Sequence, residues 1–226
     1  MKRNLTLFTA AMLALALFFA LCTGKLYAKS VGSFAEEKRV YLTFDDGPSD
    51  RVTPLVLDIL KEENVPATFF VVGSQAVSRP YLLKRIVEEG HSIAIHCYDH
   101  TYRTIYGSRD ALLSDIRRCQ SLIASVTGIS PSLYRFPGGS FHVREELKQA
   151  VKDAGYKAVD WNASCRDEEI KNATPEQLFD AAKATSYDRS RIVLLCHDST
   201  THTDTAKALP QIIAYYRSRG YAFGKL

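Results

Sequence analysis

Residues 39–50 read RVYLTFDDGPSD. A run of apolar and β-forming residues stops at two adjacent carboxylates, Asp45 and Asp46, and a Gly-Pro turn follows at once. The pattern predicts a buried strand with charge placed at its carboxyl end. Similar short runs recur as ATFFVV (67–72), SIAIH (92–96), SLYRF (132–136), YKAVDW (156–161), RIVLLC (191–196) and YAF (221–223). Helical patterns lie between most of them. Over 109–126, Leu112, Ile116, Cys119, Ile123 and Val126 recur at helical spacing, and Gly128 supplies the stop. Thr174, Pro175 and Gln177 form a capping box that opens another helix. A last helix is expected over 204–218, with Pro210 either kinking it or marking a later start. Strands alternating with helices argue for an α/β fold with parallel strands, because parallel neighbours need a crossover. About seven such units are few for a barrel of eight. The expectation is a distorted or incomplete (β/α) barrel of about seven parallel strands, with an open doubly wound sheet as the alternative.

The chain has 226 residues, 46% of them hydrophobic, enough for one sizeable core. Its formal net charge is +4, but Lys2, Arg3 and Lys25 are the only charged residues among the first 28. The remainder is close to neutral, so nucleic-acid binding is not expected. Residues 1–28 have the order of a secretory signal: a basic start, an uncharged apolar stretch over 5–22, and a small residue at Ala28. That stretch also reaches the length of an uncleaved membrane anchor, so both readings stand. Either one places residues 39–226 outside the cytoplasm as one domain behind a polar linker, 29–38. Four cysteines follow the leader, Cys97, Cys119, Cys165 and Cys196, for which disulfides are permitted but not required.

Functional groups are expected beyond the carboxyl ends of parallel strands. Asp45 and Asp46, His96 and His100, Arg135, and His197 with Asp198 all sit at such ends. Two histidines four residues apart plus one carboxylate make a ligand set with open positions, suited to a catalytic divalent metal and most often zinc. Neighbouring aspartates on extended backbone point to different sides, so one can face the metal and the other the substrate.

TFDDG (43–47), HCYDH (96–100), RFPGG (135–139), DW (160–161) and LLCHDS (194–199) resemble, in order and spacing, the five motifs of the polysaccharide deacetylases, carbohydrate esterase family four. The resemblance covers residues 39–226. It implies a distorted (β/α) barrel that uses a divalent metal, Zn2+ first and Co2+, Mn2+ or Ni2+ as substitutes, to remove acetyl groups from glycans. Carried over by position, Asp45 resembles the catalytic base, Asp46, His96 and His100 the metal ligands, Arg135 the residue holding the base, and His197 the general acid. Trp161 and Leu195 resemble an apolar groove for the acetyl methyl, and a backbone N–H near Gly138 could hold an oxyanion. The sequence departs from the family at Phe136, Gly138, Lys157 and Cys97, and leaves Asp160 and Asp198 as candidates for the carboxylate that tunes His197. The expected substrate is peptidoglycan N-acetylglucosamine, followed by chitooligosaccharide and acetylxylan, for a monomeric enzyme. An idle glycan-binding protein of the same fold is the rival.

Overall fold

A computed structural model describes residues 37–226. The leader or anchor of residues 1–28, and all but the last two residues of the linker, lie outside the described residues. Among the described residues, no helix is long and apolar enough to cross a membrane.

The chain runs β1 (Arg39–Asp45), α1 (Val52–Glu62), β2 (Thr68–Val72), α2 (Gly73–Ala76), α3 (Pro80–Glu88), β3 (Ser92–Cys97), α4 (Tyr102–Ile105) and α5 (Arg109–Thr127). It continues through β4 (Leu133–Tyr134), α6 (Glu145–Asp153), β5 (Lys157–Ala158), β6 (Ala163–Ser164), α7 (Pro175–Ser186), β7 (Arg191–His197), α8 (Thr203–Ser218) and β8 (Ala222–Gly224). The strands pair in the order β5-β4-β3-β2-β1-β7-β6, all parallel, and β8 joins β1 beside its first residues. This is a half-barrel of seven parallel strands, as expected.

How far the sheet curls follows from its connectivity. Laid flat, seven strands would put their edges about 29 Å apart at the usual spacing of about 4.8 Å. Here the edges β5 and β6 are joined by residues 159–162 alone, a link that reaches about 17 Å at full extension. The sheet must therefore roll until its edges nearly meet. The link is tied to both sides: the Val159 amide donates to the Tyr134 carbonyl (2.9 Å) and the Asn162 amide to the Val193 carbonyl (3.1 Å). Of the single strand expected over 156–161 only Lys157–Ala158 forms one, and an unexpected short strand on the opposite edge, β6, follows in the polar stretch NAS, where no apolar run marks it.

β1 is central, paired along its whole length with β7, and covered on both faces: Val40, Leu42 and Phe44 are buried on one, Thr43 and Asp45 on the other. α5 buries Leu112, Ile116, Cys119 and Ile123, with Ser108 as its N-cap and Gly128 ending it at φ +75°. The capping box of α7 forms as expected. α8 starts at Thr203, so Pro210 lies inside the helix and does not mark a later start. All four described cysteines are free and buried, so none of the permitted disulfides forms among them. Leu42→Ala, which empties a fully buried site in the central strand, should lower unfolding free energy by about 2–5 kcal/mol in urea titration.

Candidate active site

The carboxyl end of β1 resolves the adjacency of Asp45 and Asp46. Asp45 ends the strand, and Asp46 adopts a left-handed conformation at φ +71°, which aspartate tolerates better than most residues. The two side chains diverge through that turn, and not through extended backbone as expected. Gly47 follows because space demands it: a Cβ there would lie 2.2 Å from Asp198 Oδ2.

Asp45 faces Arg135. Nη1 of Arg135 donates to Asp45 Oδ1 and to Thr43 Oγ1, each at 2.8 Å, and Nε donates to the Val159 carbonyl at 3.1 Å. The guanidinium also lies 4.0 Å from the Phe70 ring centroid. Both charges are withdrawn from water, with Arg135 fully buried and Asp45 2% exposed.

Asp46 faces the two imidazoles. Its Oδ1 lies 3.3 Å from His96 Nε2 and 3.2 Å from His100 Nε2, and it is buried without a hydrogen-bond partner. Three donors on one tetrahedral zinc, at bonds of about 2.0–2.1 Å, stand about 3.3 Å apart. The spacing fits a shared cation. His96 Nδ1 lies 2.9 Å from the Arg135 carbonyl, which can only accept, so the proton sits on Nδ1 and Nε2 is free to ligate. Burial opposes the ionised form of Asp46, but contact with His100 and His96 outweighs it and holds the carboxyl well below its usual range.

His197 ends β7 directly beside Asp45 in the ladder. Asp167 holds it twice: Oδ2 accepts the His197 backbone N–H and Oδ1 accepts from ring Nδ1, both at 2.8 Å. Asp167 Oδ2 also accepts from the Thr205 hydroxyl at 2.8 Å. Burial by itself would lower the pKa of His197, yet the Asp167 carboxylate, helped by Asp45 and Asp46, pushes it up to about 10.

This corrects the expectation for the tuning carboxylate, because neither Asp160 nor Asp198 bonds the ring. Asp160 holds the loop after Gly138 through the Ser140 amide (3.0 Å) and hydroxyl. Asp198 is buried under the Gly47 turn, where it accepts from the Thr53 hydroxyl at 2.6 Å, and burial pushes its pKa up to about 7. Sequence reading missed Asp167 because it missed β6. Once that strand is recognised, Asp167 is another carboxylate just beyond a strand end.

One cavity of about 230 Å³ gathers Asp45, Asp46, His96, His100, Gly138, Trp161, Leu195 and His197, together with Tyr102, Glu168 and Glu169, which sequence reading had not singled out. Arg135 stands behind Asp45. Phe136 turns into the core against Tyr134, 4.8 Å between centroids, and does not reshape the cavity. Tyr102 and Gly138 also line a neighbouring cleft of about 350 Å³, so the two spaces share a wall. The arrangement can bind a divalent cation and sets a buried carboxylate and a charged imidazole beside it.

Two measurements check this. His96→Ala should lower zinc bound per chain, read by atomic emission, from about one to well under one half, on the three-ligand arithmetic. Asp167→Asn should move the His197 imidazole titration, followed by NMR, to lower pH, since it removes the charge that raises it.

Comparison with known proteins agrees with the geometry. The sequence model of the family described as polysaccharide deacetylase matches residues 33–159. A peptidoglycan-N-acetylglucosamine deacetylase of Listeria monocytogenes is 37% identical over 82% of this chain, although the chain spans only 37% of that protein's length. A peptidoglycan-N-acetylglucosamine deacetylase of Bacillus cereus is 34% identical over 83% of this chain and 69% of its own. The solved structure of a CE4 esterase from Streptococcus mutans superposes with a TM-score of 0.79 at 32% identity, covering 84% of this chain and 87% of that one. With the five motifs meeting at one cavity on a rolled parallel sheet, the chain belongs to the polysaccharide deacetylase family.

Proposed function

We propose that the chain is an extracytoplasmic, zinc-dependent hydrolase that removes N-acetyl groups from peptidoglycan N-acetylglucosamine. The observation that carries this reading is the ladder pairing of Asp45 with His197, a carboxylate and an imidazole side by side in one cavity with the cluster Asp46, His96 and His100, which supports a base, an acid and a metal site acting together. The names of the relatives support the substrate, and the leader-like residues 1–28 support export.

A divalent cation held by Asp46, His96 and His100 supplies Lewis acidity to the acetyl carbonyl and to water. Asp45 takes a proton from the attacking water. Arg135 fixes and orients that carboxylate through a 2.8 Å ion pair. The water oxygen adds to the carbonyl carbon, and a backbone amide near Gly138, which lines the cavity, would stabilise the charge on the carbonyl oxygen. His197 donates its Nε2 proton to the sugar nitrogen as the C–N bond breaks, leaving acetate and a free amine. Asp167 holds Nδ1 and keeps the ring protonated at neutral pH. Trp161 and Leu195 offer the apolar wall against which the acetyl methyl packs.

Acetate release from purified peptidoglycan, chitooligomers and acetylxylan, with and without chelator, tests the reading. Peptidoglycan should be the best substrate, and chelator should abolish turnover. No release from any of the three removes the hydrolase assignment. Asp45→Asn should reduce kcat by about 10²–10⁴ while bound metal stays near one per chain, a separation that loss of folding would not give. Because a raised pKa keeps His197 protonated until pH passes the folded value, the alkaline limb of the rate profile should lie well above 6.5 and move down in Asp167→Asn.

A further inference from the structure

We infer that Glu168 is a specificity-determining residue of the cavity, admitting neutral N-acetylated sugars and turning away those with a carboxylate beside the reacting bond. The inference rests on the deacetylase reading of the same site. Peptidoglycan alternates two N-acetylated sugars, and muramic acid differs from glucosamine by a lactyl ether on carbon 3. That carbon adjoins the one bearing the acetamide, so on strands without stem peptides, where the lactyl carboxylate is free, it must enter wherever the scissile amide enters.

Glu168 stands at that point. One ligand atom each from Glu168, Asp46 and His197 lie within 4.8 Å of one another, which puts the Glu168 carboxylate at the edge of the reaction centre. Two contacts hold it there. Asp167, its neighbour in sequence, is fixed by its double grip on His197. Glu168 Oε1 itself lies 3.1 Å from His202 Nε2, on a ring that packs 5.3 Å from His197 and is held at Nδ1 by the Ser199 hydroxyl, 2.8 Å away.

The surrounding charges leave Glu168 facing the cavity. Asp45 is matched by Arg135, and His197 by Asp167. Arg166 reaches Glu169 at 3.5 Å. No lysine or arginine lines the cavity and the charge of His197 is already met by Asp167, so a substrate carboxylate would meet that of Glu168 with no unmatched side-chain cation to receive it. Like charges so placed act as a built-in rejection of one sugar and cost nothing toward the other.

Glu168→Gln keeps the size of the side chain and its reach to His202 while removing the charge. Peptide-free glycan strands are treated with metal-loaded full-length wild type and variant, and free amines on glucosamine and muramic acid are counted separately by mass spectrometry. Calorimetry in parallel compares binding of an N-acetylglucosamine tetrasaccharide with an alternating tetrasaccharide and with the carboxyl-reduced form of the latter. Wild type should deacetylate glucosamine almost alone and bind the reduced chain at least tenfold more tightly than the anionic one. In Glu168→Gln the muramic to glucosamine ratio should rise at least tenfold and the binding preference should fall by a similar factor. Ratios that move less than twofold in both measurements overturn the inference, as does wild-type deacetylation of both sugars at equal rates. Absence of acetate release from every chain would remove the deacetylase reading, while the binding comparison would still decide whether Glu168 selects against charge.

Discussion

The buried guanidinium of Arg135 is the constraint around which the site is arranged. A charge fully withdrawn from water is costly unless it is paired and hydrogen-bonded, and removing one partner of such a pair typically costs about 3–5 kcal/mol. Arg135 satisfies this by reaching across the barrel interior: to Asp45 and Thr43 on β1, to the Val159 carbonyl beyond β5, and over the Phe70 ring on β2. Thr43 passes the link on, since its hydroxyl donates to the Leu194 carbonyl of β7 at 2.7 Å. The Arg135 carbonyl also sets the tautomer of His96. One residue thereby orients the carboxylate, the His96 imidazole and three strands.

The second organising feature is the separation of like charges by backbone geometry. Asp45 looks inward to a guanidinium and Asp46, one residue on, looks sideways to two imidazoles, because the chain turns left-handed between them. Asp198 then closes the turn from below, with its carboxyl touching Thr53 and its carbonyl accepting from Ser49 at 2.7 Å. The Ser49 hydroxyl in turn accepts the Val52 amide at 3.0 Å, starting α1. The mouth of the strand, the turn and the helix after it are one hydrogen-bonded unit.

Sequence reading was strongest where burial is continuous. β1, β2, β3 and β7 are long apolar runs, and α5 and α7 carry both periodicity and terminal signals, so their places could be read from residue types. It was weakest around 156–167. There, β5 and β6 are two residues each, exposed or polar, and are defined by pairing with distant strands, which leaves no local pattern. The carboxylate that grips His197 was lost with them. The pair His96 and His100 with a strand-end aspartate was legible from spacing, and Asp46 in place of Asp45 came from the family resemblance, whereas Glu168 and His202 come near His197 only through the fold.

The crossing of residues 159–162 between the two sheet margins has a consequence for behaviour in crowded solution. An open sheet ordinarily ends in a row of free amides and carbonyls on which another molecule can build, the first step toward aggregation. Here each margin is a strand of only two residues, and the covalent crossing ties one to the other. An approaching chain finds too short a template to extend the sheet.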